Sequence, residues 1–240
     1  RCIQGNSLLA HAVGAGKTAV MITAAMELIR LKLATKTMIV VQNATLQQFA
    51  EFAPKLYPTA NILVATKNDL VKEKRKRFLG RIATGKWDIV IIAQSSFNMI
   101  EDNPDLVRAK YQSELDEMER VQGTRCVTMQ LNRRQKKAEE QRKRSLKKRL
   151  DKLEDRHASE DIVYFDQLGV DCIFMDEVHS YKRNFFVTKM TRVKGLDNAA
   201  SQKAFSLTLK LNQIREKTGG RNIYTATGTP VTNQLPELFN

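Results

Sequence analysis

The stretch His11-Ala12-Val13-Gly14-Ala15-Gly16-Lys17-Thr18 decides the fold class of this 240-residue chain. The apolar residues 8–10 before it predict a short buried strand, and residues 19–33 after it predict a helix. A glycine-rich turn that joins a strand to a helix is the setting of a phosphate-binding loop. The stretch therefore predicts an α/β protein whose first strand and first helix hold a phosphorylated ligand.

Each residue type in this loop has its own task. Gly14 and Gly16 allow the backbone to turn so that several N–H groups point at a phosphate, and the helix N-terminus adds its dipole. We expect the Lys17 ammonium to reach the β- and γ-phosphates and the Thr18 hydroxyl to ligate Mg²⁺. The general motif has glycine where this chain has His11. The residues predicted to bind the nucleoside triphosphate are Val13, Gly14, Ala15, Gly16, Lys17 and Thr18.

Strand and helix patterns alternate along most of the chain. Apolar and β-branched runs predict strands at residues 37–41, 62–65, 88–93, 171–175 and 222–227. Residues 45–56 and 68–82 predict helices between them. Because strands that alternate with helices pair in parallel, the prediction is a doubly wound parallel sheet with helices on both faces.

Residues 104–161 interrupt this alternation. They carry many charges and no strand pattern, and apolar residues spaced four and three apart predict an inserted helical hairpin with a break at Gly123-Thr124. Residues 133–149 contain ten basic and two acidic side chains, a local net charge of +8. Such a face can follow a phosphate backbone, and a merely solvated helix is the alternative. The predicted domains are a nucleotide-binding lobe at 1–103 and 162–240 and a charged insert at 104–161.

The overall composition predicts a polyanionic partner. The net charge is +14, which favours nucleic acid over a basic surface without such a partner. Cys2, Cys126 and Cys172 are far apart, which favours a reducing compartment such as the cytoplasm and disfavours disulfides or a zinc site. No apolar run approaches the roughly 18 residues of a membrane-spanning helix, so we expect none.

A second group of polar residues follows the strand predicted at 171–175. The sequence Asp176-Glu177-Val178-His179 places two acids at the carboxyl end of that strand. We expect Asp176 to hold the Mg²⁺ that the loop also contacts, and Glu177 to polarise the attacking water. His179 is close enough in sequence to sense the γ-phosphate. A third group, Thr227-Gly228-Thr229, follows the last strand, and its hydroxyls could link the acids to a moving part.

These three groups, in this order, resemble the motifs of superfamily 2 helicase-type ATPases, most closely their Swi/Snf-like branch. More narrowly, residues 9–18, 60–69, 165–171 and 218–221 resemble the helicase region of methylase–helicase proteins of bacterial mobile elements and phages. The resemblance implies a RecA-like lobe that binds ATP and Mg²⁺. The catalytic residues that it implies are Lys17, Asp176 and Glu177, and the coupling residues are His179, Thr227, Gly228 and Thr229. The residues that it implies for contact with the DNA backbone are Asn43, Thr45, Gln48, Gln94, Ser95, Ser96 and Lys182.

The resemblance also implies partners within the same protein. Such motors have a second RecA-like lobe with an arginine finger, and the mobile-element relatives also have a methylase domain. The chain ends just after the third motif, so we expect it to bind ATP–Mg²⁺ weakly and to hydrolyse it poorly alone. Two alternatives stay open. His11 and the insert suggest a non-motor DNA-binding or assembly module with a degenerate nucleotide site. The other alternative is an RNA-directed helicase. The third motif disfavours it, because this chain has Thr227-Gly228-Thr229-Pro230 in place of Ser-Ala-Thr.

Overall fold

A computed structural model describes residues 2–12, 14–125, 133–154, 162–181 and 202–229 of the chain. The strands are β1 (Ser7–Ala10), β2 (Thr37–Val41), β3 (Ile62–Val64), β4 (Ile89–Ala93), β5 (Cys172–Asp176) and β6 (Ile223–Thr227). They form one six-stranded sheet in the order β1-β6-β5-β2-β4-β3, and every neighbouring pair is parallel. Each strand boundary lies within a residue or two of the sequence-based prediction.

The described α-helices number seven. They are α1 (Lys17–Arg30), α2 (Leu46–Leu56), α3 (Lys72–Thr84), α4 (Gln94–Phe97), α5 (Pro104–Arg125), α6 (Arg133–Glu154) and α7 (Gln202–Thr218). Short 3₁₀ helices lie at Cys2–Gln4, Lys67–Leu70, Phe165–Leu168 and Val178–Tyr181. None of the helices in these ranges is both long enough and apolar enough to cross a membrane.

The sheet is covered on both faces. On one face, Met21 and Ile22 of α1 and Phe49 of α2 pack against alternate strand residues such as Ile39 and Phe174. The opposite face packs against α3, α4 and α7 through a second cluster, whose members include Phe78, Phe97, Ile214, Val40 and Met175. The central strands β2, β4 and β5 are buried along their whole length, as expected for parallel strands between two helical layers. This is the α/β, RecA-like arrangement, and the predicted fold class is confirmed.

Hydrogen bonds of Asp171 and Lys36 fix the amino-terminal ends of β2 and β5. The Asp171 carboxylate accepts hydrogen bonds from the backbone N–H groups of Thr35 and Lys36, at 2.8 and 3.0 Å. The Lys36 ammonium donates to the carbonyls of Ile82 and Leu168, at 2.6 and 3.1 Å. Since the last carbonyls of a helix have no partner within it, a cation there satisfies them. These hydrogen bonds fix β2 and β5 at the ends opposite the candidate site.

The chain separates into two compact units, Arg1–Glu101 with Val163–Asn240, and Asp102–Ile162. Within the second unit, α5 and α6 form an antiparallel pair. Lys143 Nζ lies 3.3 Å from Glu119 Oε1, and Arg108 Nη2 donates to the Leu153 carbonyl at 2.9 Å. Tyr111, Leu115, Met118 and Leu146 are the buried apolar residues of this pair.

Two local predictions were wrong. The chain does not break at Gly123, because α5 continues to Arg125. A single glycine costs a helix only about 1 kcal/mol relative to alanine, which packing against a second helix offsets. The helix predicted at residues 68–82 is two elements. Thr66 and Asp69 form a capping box that begins the 3₁₀ helix, and Val71, whose backbone is extended, separates that helix from α3.

Candidate nucleotide and nucleic-acid site

The three motifs meet at one edge of the sheet. In a parallel sheet all strands end at the same edge, and β1, β6 and β5 are neighbours there. The phosphate-binding loop follows β1, the acidic residues follow β5, and the threonine-rich turn follows β6. The order of the strands in the sheet, rather than in the chain, therefore brings together residues that are more than 150 positions apart.

The loop has the backbone shape that an anion site requires. Gly14 and Gly16 have φ angles of 85° and 77°, in the left-handed region that favours glycine. Gly16 is the N-cap of α1, and, apart from its chain neighbours, no described residue lies within 4 Å of where a Cβ would stand at either glycine. The loop thus leaves open space at the positive end of a helix, which is where phosphates bind. Ala15 is exposed, Thr18 lies half-buried in the first turn of α1, and Val13 is outside the described residues.

Lys17 links the loop to the acidic residues. Its Nζ donates to the His11 carbonyl at 3.2 Å and lies 3.5 Å from Glu177 Oε1. Both side chains are mostly buried, with 14% and 17% of the side chain exposed, so the surrounding water screens this pair less than it screens a surface ion pair. The predicted phosphate ligand and the predicted base are therefore neighbours.

Glu177 is held by the third motif. Its Oε2 accepts a hydrogen bond from Thr227 Oγ1 at 3.1 Å and lies 3.0 Å from His179 Nδ1. The Gly228 N–H points at the same oxygen from 3.4 Å, and the Thr229 N–H donates to Thr227 Oγ1 at 3.1 Å. Three of the four residues that were predicted to couple nucleotide state to movement thus converge on one carboxylate oxygen, and the fourth, Thr229, holds the Thr227 hydroxyl.

The backbone of Glu177 is strained. Its φ is 50°, the left-handed region, which costs a residue with a Cβ roughly 1–2 kcal/mol. Such a conformation persists only where the surroundings hold it, and it is concentrated at functional sites. The hydrogen bonds that converge on Glu177 are part of those surroundings.

Asp176 is the buried member of the acidic pair. Burial, and then the neighbouring Glu177 carboxylate, raises the pKa of Asp176 above its ordinary value, while Lys17 opposes the shift. Its Oδ1 is buried and has no hydrogen-bond partner among the described residues. Because an unsatisfied buried oxygen is costly, this atom fits a cation ligand. Mg²⁺ prefers such oxygens and commonly takes only one or two carboxylates from the protein.

The segments predicted to contact DNA lie at the same edge, beyond β2 and β4. Asn43, Gln48 and Ser95 are exposed, and Thr45 is half-buried as the N-cap of α2. Ser95 Oγ donates to Asn43 Oδ1 at 2.8 Å, so the two segments meet. Ser96 is buried, with 4% exposed. Lys182 lies outside the described residues.

Sequence reasoning missed the bridge that Gln94 forms. Its side chain is 9% exposed, Nε2 donates to the Asp176 carbonyl at 2.8 Å, and Oε1 accepts from Ser180 Oγ at 3.1 Å. A contact from this amide to nucleic acid would require both bonds to break. Ser180 lies four residues beyond Asp176, and nothing in the motif pattern distinguishes it from an ordinary turn serine.

The comparison with known families agrees with this geometry. A family model described as a probable helicase domain matches residues 2–240. The match covers almost the whole chain, so the chain belongs to this family of helicase domains. No curated protein matches the chain. Membership assigns the chain to the helicase-type enzymes. The phosphate-binding loop and the paired acids at this edge suit the general chemistry of such enzymes.

Proposed function

We propose that the chain is the first RecA-like lobe of a DNA-dependent ATPase of the Swi/Snf-like branch, which moves on or remodels duplex DNA. One observation carries this proposal. Lys17, His179 and Thr227, each from a different motif, converge on the two carboxylate oxygens of Glu177 at 3.0–3.5 Å. A base that is positioned by a phosphate ligand on one side and by a movable turn on the other is what an ATP-driven motor requires.

The loop residues would bind ATP. There is open space beside Gly14 and Gly16 at the start of α1, where the first N–H groups of a helix lack a partner within it, and Lys17 would exchange its contact with the His11 carbonyl for phosphate oxygens. Thr18 and Asp176 would hold Mg²⁺, with Asp176 Oδ1 as the unsatisfied buried ligand. When bound, the ion neutralises charge that develops on the phosphates during transfer.

Glu177 would orient the attacking water and accept its proton. The hydrogen bonds from Thr227 and the contacts with Lys17 and His179 would fix the direction in which the Glu177 carboxylate points. Loss of the γ-phosphate frees Lys17 and leaves the hydrogen bonds of Glu177 to His179 and Thr227. Those bonds would pass the change to the turn at residues 227–229, and from there to a second lobe that supplies an arginine.

The nucleic acid would lie along the edge formed by Asn43 and Ser95. Hydroxyl and amide groups on loops and helix N-termini typically contact phosphates, which gives affinity without sequence preference. The net charge of +14 supports the same partner.

The helical insert offers a second basic surface, which we define by four exposed cations of α6. These cations are Arg144, Lys147, Lys148 and Lys152. None of them has a hydrogen bond or ion pair among the described residues. Lys147 and Lys148 lie three and four residues after Arg144, and Lys152 lies four residues after Lys148, which places all four on one side of the helix, over about 12 Å. Exposed acids also lie on α6, at Glu140 and Asp151, but residues 133–154 carry eleven basic and four acidic side chains, so the helix stays strongly positive. That excess supports a phosphate-binding role over a merely solvated surface.

Calorimetry tests the nucleotide half of the proposal. ATP–Mg²⁺ is titrated into the intact protein, into Lys17→Ala and into Lys55→Ala, which removes an exposed lysine near the end of α2. Hydrogen bonds to charged groups contribute about 1.5–3 kcal/mol, so Lys17→Ala should weaken binding at least tenfold and Lys55→Ala should not. No ATP binding with retained DNA binding would favour the non-motor module. ATPase stimulation by RNA rather than by duplex DNA would favour an RNA helicase.

A further inference from the structure

Gln94 lies between the acidic residues after β5 and the surface at Asn43 and Ser95. It is the first residue of α4, at the carboxyl end of β4, and its amide holds both ends of the segment that carries Glu177. One bond runs to the carbonyl of Asp176, before Glu177, and the other to the hydroxyl of Ser180, after it. Both polar atoms of a nearly buried side chain are therefore committed to this segment.

The bridge spans a strand. In the sheet, β2 lies between β4 and β5, so the Gln94 side chain crosses the carboxyl end of β2 to reach the end of β5. No backbone pairing joins β4 to β5 directly. A displacement at the start of α4 is thus transmitted to the acidic segment through these two hydrogen bonds.

The segment that receives this bridge has a strained backbone at Glu177. Glu177 keeps a left-handed φ of 50°, which its own backbone preference opposes. A bond to the carbonyl of the preceding residue limits how that peptide can rotate. The orientation of the carboxylate therefore depends on whether Gln94 holds the Asp176 carbonyl in place.

The residue next to Gln94 faces outward. Ser95 is exposed and donates to Asn43, which is also exposed, so this pair is the surface where a phosphate can compete for a hydroxyl. Ser95 and Gln94 belong to one short helix, whose Phe97 is buried in the core. One turn of helix thus carries a nucleic-acid contact on its outside and the bridge to the acids on its inside.

We propose that Gln94 is a positioning residue through which nucleic acid bound at Asn43 and Ser95 sets the orientation of the Glu177 carboxylate. This inference rests on the proposed ATPase function and adds the regulation of that site. Coupling between two binding sites is reciprocal, so ATP should also change the affinity for DNA through the same residue.

The test compares two buried glutamines in the intact protein. Gln94→Met removes the bridge, and Gln213→Met is the matched control, because Gln213 is 6% exposed and its amide has no partner among the described residues. The readouts are basal ATPase, ATPase with saturating duplex DNA, and DNA affinity with and without a non-hydrolysable ATP analogue. Thermal melting confirms that both variants fold.

The DNA-stimulated ATPase rate of Gln94→Met should fall at least tenfold more than its basal rate, because the bridge carries the effect of bound DNA to Glu177. The effect of the ATP analogue on DNA affinity should fall by a similar factor, since the coupling is lost in both directions. Ser180→Ala, which removes one of the two bonds at an exposed residue, should lose part of the stimulation. Gln213→Met should behave as the wild type.

Unchanged stimulation in Gln94→Met would overturn the inference. So would an equal loss of basal and stimulated rates, since that would mean only that the acids are misplaced. If Gln94→Met does not fold, unchanged stimulation in Ser180→Ala overturns it instead. A wild-type protein that hydrolyses no ATP in any condition would refute the proposed function itself. A wild-type protein and a Gln94→Met variant that DNA stimulates equally would refute only the role of Gln94.

Discussion

Removing four of the exposed cations of α6 should change how DNA binding depends on salt. The variant replaces Arg144, Lys147, Lys148 and Lys152 with glutamine. Each cation that neutralises a phosphate of duplex DNA contributes about 0.9 to the slope of log K against log salt. Four contacts therefore give a slope change of about 3.6, and two give about 1.8. Between 50 and 200 mM salt, a change of 3.6 corresponds to roughly 150-fold in relative affinity.

The variant should remain folded. Glutamine is as good a helix former as lysine or arginine, and exposed substitutions of this kind change stability by about 0.5 kcal/mol or less. Like charges four residues apart also repel each other, so their removal is slightly favourable. Circular dichroism and thermal melting should therefore be close to those of the wild type.

The assay is fluorescence anisotropy with a labelled duplex at several salt concentrations. A matched control removes the same charge from exposed residues on segments that precede β2, β4 and β6, at the opposite edge of the sheet from the phosphate loop. Its substitutions to glutamine are at Lys32, Lys86, Arg215 and Arg221. The slope of log K against log salt for the control should differ from that of the wild type by less than about 0.9, the value of one contact. A slope change below about 0.9 in the α6 variant, less than one contact, would refute the reasoning.

Three further predictions concern stability. Glu177→Gly should melt about 2–4 °C above Glu177→Ala, because a φ of 50° costs alanine about 1 kcal/mol more than glycine. An equal or higher melting temperature for the alanine variant would contradict this. Asp176→Asn should raise the melting temperature at pH 7, because the raised pKa means that ionisation of the buried carboxyl destabilises the fold. That gain should shrink as the pH falls from the raised pKa towards the ordinary value of 3.8, and a pH-independent gain would argue against it. Gly16→Ala should destabilise by about 1 kcal/mol at its φ of 77°, whereas Gly80→Ala, within α3 and with open space for a Cβ, should stabilise by up to about 1 kcal/mol in a denaturant titration.

The fold could be predicted because its strands are simple to recognise. A parallel strand buried on both faces is a continuous apolar run, as at Met38-Ile39-Val40-Val41 and Ile89-Val90-Ile91-Ile92, and polar residues bound each run. The candidate catalytic residues could be named because their spacing within each motif is local. Neither kind of pattern contains the order of the strands in the sheet, which places β6 between β1 and β5.

The parts that sequence could not provide depend on that order. Thr227 reaches Glu177 only because β6 and β5 are neighbours, and no local pattern encodes that contact. Gln94 looks like an exposed residue at the start of a loop, yet packing commits its amide to the Asp176 carbonyl on another strand. The strain at Glu177 is equally invisible, because glutamate has no special preference for a left-handed φ.

The central claim is that Glu177 activates water for hydrolysis of a nucleotide that Lys17 helps to bind. The most direct measurement is ATPase of the intact protein with saturating duplex DNA, for the wild type, Lys17→Ala and Glu177→Gln, with ATP–Mg²⁺ binding measured in parallel. A general base contributes about 10²–10⁴ in rate, so Glu177→Gln should lose at least 100-fold and still bind ATP, while Lys17→Ala should lose binding and turnover together. DNA-stimulated hydrolysis retained in both variants would contradict the claim.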